Sequence, residues 1–118
     1  MTPLNKSFIG AANTKRASLN AILIRSKIDK IVYPSFHLVE RMVERNIDVV
    51  DVARMTVPIV KYFRETTFND RSCLVLWRDL KLAADIRIGT VTGKRSIILK
   101  TIVDDVSRKT FDEMFKIE

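Results

Sequence analysis

Between Leu80 and Ile88 the chain alternates. Leu80, Leu82, Ala84, Ile86 and Ile88 are apolar, and Lys81, Ala83, Asp85 and Arg87 stand between them. Successive side chains on a strand point to opposite faces, so this period of two describes a strand with one side on a core and the other toward water. A single strand of this kind is unstable by itself and needs neighbours and an apolar cover. Ile59–Thr66, Ser72–Arg78 and Arg95–Val103 also read as strands, joined through short polar connections at Phe68–Arg71, around Asp79 and at Gly89–Gly93. The expected product is a four-stranded antiparallel meander that requires helices on one face.

Those helices are expected upstream. The first dozen residues read as irregular. From Thr14 to Lys30, with Asn13 or Thr14 as cap, the residues Ala17, Ala21, Ile24, Ile28 and Ile31 recur at helical spacing. Pro34 disfavours a helical Tyr33 and lacks an amide donor, so the helix ends before it. Ser35 is placed to cap a second helix from Phe36 to about Asn46, and Asp48 to cap a third from Val49 to about Val57, where Pro58 reads as a stop. A short closing helix is expected near Arg108–Phe115. The fold class is therefore α+β: two to three N-terminal helices, then the sheet. The 118 residues suit one domain, with 1–31 as a basic N-terminal extension, 33–103 as the core and 104–118 as a C-terminal segment.

Composition narrows the function. One cysteine, Cys73, permits no intrachain disulfide and no multi-thiolate zinc site, and one histidine, His37, permits no multi-histidine metal centre. Asp104-Asp105 reads as a solvated turn rather than a cation site, so no metal and no cofactor is expected. No apolar run approaches the ~20 residues of a membrane span, and no secretory signal is legible at the start, so no membrane partner and a cytoplasmic, reducing location are expected. The net charge of +7 favours an acidic partner, either a nucleic acid or a protein. Residues 1–30 carry +5 of it, through Lys6, Lys15, Arg16, Arg25, Lys27 and Lys30 against Asp29. That surface is either a solvated helix face or a phosphate-binding one.

The second helix holds the one uncommon pattern, His37-x3-Arg41-x3-Arg45 with Glu40 and Glu44 interleaved. Steps of four advance only ~40° around a helix, so the imidazole and both guanidinium groups form one row, with the two glutamates in a second row beside it. Leu38, Val39, Met42 and Val43 fall opposite. Arg41 with Arg45, and Glu40 with Glu44, are like-charge pairs at i,i+4 and each costs ~0.2–0.5 kcal/mol, an arrangement that stability alone does not favour. An imidazole moves protons near neutral pH, and guanidinium groups hold phosphate oxygens. RNA carries its own nucleophile in the 2′-hydroxyl, so this row suits phosphodiester recognition or metal-independent cleavage.

The run from Phe36 to Val52 resembles the signature of a widespread family of small uncharacterised domains: a His-x3-Arg-x2-Glu-Arg helix, then Gly/Asn-Ile, an acidic cap and a helix ending in Val. Those domains are similar in architecture to RelE-like toxins and colicin D-like ribonucleases, which cleave RNA without metal. The likeness covers roughly residues 33–103. It implies His37 as general base or acid, Arg41 and Arg45 as phosphate clamps, and Glu44 as their orienting group or a partner in proton transfer. Arg78, Lys81, Arg87 and Lys100 are nominated as further cations by strand position alone. The basic segment with Lys15, Arg16, Arg25 and Lys27 has no counterpart in the family pattern and serves either as a further RNA contact or as a docking element.

Three functions follow as expectations. The first is a small RNA endonuclease-like domain, of the toxin or mobile-element kind. The second is a silent relative that binds nucleic acid or an acidic partner such as an antitoxin. The third is a phage-type inhibitor acting by protein contact. Trp77 and Cys73 are expected in the core, as are Tyr62 and Phe63.

Overall fold

The computed structural model describes residues 6–104 and 111–118. The element order is α1 (Lys6–Arg25), β1 (Val32–Pro34), α2 (Phe36–Glu44), α3 (Val49–Glu65), β2 (Arg71–Trp77), β3 (Leu80–Ile88), β4 (Arg95–Ile102) and β5 (Glu113–Ile117). The architecture is α+β, with three helices and a five-stranded mixed sheet in the order β1-β4-β3-β2-β5.

The antiparallel centre is as expected. β2 pairs with β3 from Arg71↔Ile86 to Trp77↔Leu80, and β3 pairs with β4 from Ile88↔Arg95 to Leu82↔Ile102, with a register shift at Ala83/Ala84. The edges correct the expectation of four antiparallel strands. β1 runs parallel to β4 (Tyr33↔Ile98), and β5 runs parallel to β2 (Val75↔Phe115).

Ile59–Thr66 is not a strand. α3 continues through Pro58 to Glu65, because Val52, Met55, Thr56, Ile59, Val60 and Phe63 form one buried stripe at helical spacing. That stripe outweighs the amide hydrogen bond that Pro58 cannot make. The proposed closing helix is corrected as well. Residues 108–110 lie outside the described residues, and Glu113–Ile117 is a strand in which Phe115 and Ile117 turn inward while Met114 is exposed.

α1 begins at Lys6, where an irregular segment was expected, and ends at Arg25, five residues earlier than expected. Lys27 takes a left-handed conformation (φ 61°), and Lys27 N and Ile28 N close the helix on Ile24 O and Leu23 O. Its core face is Ala12, Leu19 and Leu23, while Ala17, Ala21 and Ile24 are exposed.

The helices pack on the side of the sheet that carries Cys73, Val75, Trp77, Leu82, Ala84, Ile86, Ile97 and Leu99. Trp77, Cys73 and Phe63 are buried there, as expected, and Tyr62 is half-buried. The opposite face holds a small cluster of Leu74, Ala83 and Val103 with Leu76 and Phe111. Beside it on that face stand Asp85 and its cations.

Candidate nucleic-acid interface

α2 is short and sharply two-sided. The Ser35 side chain accepts a hydrogen bond from Leu38 N (3.0 Å) and donates one to Lys100 O (2.7 Å), so the cap that starts α2 also fastens it to β4. Leu38, Val39 and Met42 are fully buried. This inner side fixes the helix rotation, and the His37-Arg41-Arg45 row faces outward as a result.

The three members of the row have different surroundings. His37 is exposed, and its Nδ1 lies 4.0 Å from Glu40 Oε1, too far for a hydrogen bond. Arg41 is partly covered, with Nη1 3.8 Å from Glu44 Oε2 and a buried Nε that has no protein partner. Arg45 caps the end of α2 and holds the Asp104 carboxylate through both terminal nitrogens. Lys81, from β3, reaches the same place and donates to Asp104 O at 3.4 Å.

Electrostatics tie these groups together. The hydrogen bond from Arg45 holds the Asp104 carboxyl below its ordinary range, and the charges of Arg45, Arg41 and Lys81 add to the effect. Asp104 raises the Arg45 guanidinium in return, chiefly through the same hydrogen bond. The charges of Arg41, Arg45 and Lys81 thus all bear on Asp104, and with Glu44 beside Arg41 counted as well as Asp104 the group keeps one excess positive charge. His37 stands two turns from Arg45, roughly 12 Å along the helix.

The other nominated cations sit elsewhere. Arg87 grips Asp85 through Nη2 (2.9 Å) and Nε (3.1 Å), and Lys100 Nζ lies 3.4 Å from the same carboxylate. Asp85 is only 5% exposed, and both cations extend into solvent on the open face. Arg78 occupies the left-handed position of the β2–β3 turn (φ 57°), its guanidinium 4.4 Å from the Trp77 ring centre. Lys15 donates to Ile47 O at 2.7 Å and so braces the α2–α3 turn. Arg16 lies 6.0 Å from the Phe36 ring, and Arg25 and Lys27 are exposed at the end of α1.

Two carboxylates that organise cations, Asp104 and Asp85, have no signal in the sequence that marks them as site residues. For Asp85 the alternation gave a position on the polar face, but not its burial. Three clefts open at other places: about 420 Å³ between α1 and α3, about 540 Å³ between α1 and the α2–α3 turn, and about 640 Å³ beside β1. None of the three is lined by His37, Arg41 or Arg45. The row occupies open surface, which suits contact with a phosphate backbone more than enclosure of a base.

Among the described residues, no three histidine, cysteine or carboxylate groups gather at a metal-binding distance, and no helix is long and apolar enough to cross a membrane. Comparison with protein-family models, curated proteins and solved structures gave no match.

Proposed function

We propose that this chain is a small RNA-binding domain that seats phosphates of a single strand on the outer side of α2 and the adjoining end of β3. The observation that carries this reading is the gathering of Arg41, Arg45 and Lys81 around Asp104, with Arg45 on its carboxylate and Lys81 on its backbone carbonyl, on a surface open to a polymer. Guanidinium and ammonium groups in this arrangement exchange an internal carboxylate for phosphate oxygens and release counterions as they do so. The likeness of Phe36–Val52 to the His-Arg-Glu-Arg helix of RelE-like and colicin D-like domains supports RNA as the polymer.

Cleavage is the second reading, favoured by the exposed imidazole of His37 in the same row. His37 would take the 2′-hydroxyl proton as that oxygen bonds to phosphorus. The bond from phosphorus to the 5′-oxygen would break to leave a 2′,3′-cyclic phosphate, and the departing 5′-oxygen would take a proton from water. Arg41 would hold the phosphate, with no metal required. The test is binding of a short fluorescent single-stranded RNA in the presence of chelator, with the RNA analysed for breakage afterwards. Binding that falls in Arg41→Gln/Arg45→Gln and persists in His37→Ala, without breakage, supports the binding domain. Breakage by the wild type that is absent in His37→Ala establishes the nuclease. Absence of binding at low salt refutes both.

A further inference from the structure

The cleft beside β1 has a lining unlike that of the other two. Lys30, Lys94 and Arg95 supply three positive charges and Tyr33, Thr90 and Ser96 three hydroxyl-bearing side chains, and none of its lining residues is a carboxylate. At about 640 Å³ it falls within the usual size of small-ligand clefts.

Its parts are held in place. Val32 is buried, so strand alternation turns Tyr33 to the open face, in register with Ile98, and leaves it 47% exposed. The Tyr33 hydroxyl donates to Lys30 O at 2.8 Å, which fixes the ring and the Lys30 backbone together. Arg95 is a stationary charge: its Nε donates to Phe68 O at 2.8 Å, and its guanidinium lies 4.4 Å from the Phe63 ring centre. Lys30 and Lys94 are exposed and line the cleft from the segments that precede β1 and β4. The hairpin wall keeps its shape because Gly89 has no side chain; a Cβ there would meet Thr92 Oγ1 at 2.8 Å.

An added β-strand is a poor occupant. Val32 N–H is already spent on Ile28 O (2.9 Å), and Pro34 has no N–H to offer. An exposed aromatic ring in one cleft with exposed lysines instead fits a planar ring joined to an anion.

We propose that this cleft binds one nucleotide of a single-stranded nucleic acid, its base stacked on the Tyr33 ring and its phosphate between Lys30 and Lys94. The inference rests on the RNA-binding reading above and adds a base subsite to it, away from the α2 row.

Tyr33 and Tyr62 are the chain's two tyrosines, and Tyr62 is part-buried with its hydroxyl on Glu113 (3.3 Å). Protein labelled with fluorotyrosine therefore gives two resonances, to be followed by fluorine NMR while oligouridylate is added. The expected result is a saturable shift at Tyr33 and none at Tyr62. Tyr33→Ala is expected to weaken oligouridylate binding about tenfold, the scale of one base–aromatic stack. Tyr33→Phe is expected to retain affinity, because the ring remains; a hydroxyl that served only as a tether for Lys30 would make Tyr33→Phe behave like Tyr33→Ala. Lys30→Gln/Lys94→Gln gives an independent reading, with the salt slope of binding falling by about 0.7, one phosphate contact. If the wild type binds and the α2 variants weaken it, yet Tyr33 is silent and these variants match the wild type, the cleft is overturned and the α2 reading stands. If the cleft variants weaken binding and the α2 variants do not, the cleft stands and the α2 reading falls. No binding by the wild type overturns both.

Discussion

Leu38 and Arg41 are i,i+3 neighbours on the same nine-residue helix, Leu38 turned into the core and Arg41 at its solvent edge, and exchanging each in turn separates the helix's two roles. Leu38 is 0% exposed, so Leu38→Ala leaves a cavity between α2 and the sheet at a cost of about 3 kcal/mol, within a usual span of ~2–5. For 118 residues the unfolding entropy near the melting temperature is roughly 0.25 kcal/mol/K, so the midpoint is expected to drop by about 12 °C. The Arg41 guanidinium lies 3.8 Å from Glu44 Oε2, and its buried Nε has no hydrogen-bond partner to lose. Arg41→Gln is therefore expected to move the midpoint by no more than about 2 °C, as surface changes do, and to weaken RNA binding instead. Thermal unfolding followed by far-UV circular dichroism measures the first effect, and anisotropy of labelled RNA the second. An unchanged midpoint in Leu38→Ala, or a collapse of the fold in Arg41→Gln, would refute the assignment of the two faces.

Three further outcomes follow from particular contacts. Asp104→Asn releases Arg45 from its internal carboxylate, so RNA binding is expected to tighten and its salt slope to steepen by about 0.7, one phosphate contact; an unchanged slope contradicts the shared cluster. The Asp112 carboxyl is held below its ordinary range first by the backbone N–H of Ser72, then by the Ser72 hydroxyl and Arg71. A lowered folded value means that the contribution is complete above the ordinary carboxylate value and is lost as pH falls below about 4. Denaturant midpoints taken down the acid limb are expected to fall less steeply in Asp112→Asn than in the wild type. Burial, with the nearby Asp85, Glu113 and Asp112 charges, pushes the Cys73 thiol up to about 12. A thiol reagent at mildly alkaline pH is expected to leave Cys73 unmodified until the protein is unfolded, and rapid native-state labelling contradicts that.

The parts of the fold legible in the sequence are those where one signal acted alone. The bounds of β3 and the Ser35 and Asp48 caps needed nothing distant, and each is found where expected; the faces of β3 are not, since Ala83 and Asp85 on the side read as solvated are buried and Ile88 on the side read as core is exposed. The end of α3 is ambiguous in the sequence because Ile59 and Phe63 satisfy a period of two as well as four and Pro58 favours a stop; the buried stripe running back to Val52 is the stronger signal. α1 carries apolar residues on all sides, so periodicity selected no face, and the larger Leu19 and Leu23 took the core in place of Ala17 and Ala21. The edge strands β1 and β5 are three and five residues long, and they owe their state to pairing with β4 and β2 rather than to local pattern.

Of the candidate site, the helical row could be read from spacing. Its grouping with Lys81 and Asp104 could not, since those residues come from the start of β3 and the segment after β4. Lys15 shows the converse. Its charge suggested a ligand contact, and its ammonium is spent on Ile47 O. Net charge locates cations along a chain but does not say which are already engaged.

The most direct measurement of the central claim is the dependence of RNA affinity on salt, from about 50 to 200 mM, for the wild type and for Arg41→Gln/Arg45→Gln/Lys81→Gln. Each phosphate contact to a single strand contributes about 0.7 to the logarithmic slope. With Arg45 shared between Asp104 and the ligand, the triple variant is expected to lose about 1.4 to 2.1 of slope while its melting temperature holds. A triple variant with the slope and affinity of the wild type would contradict the account.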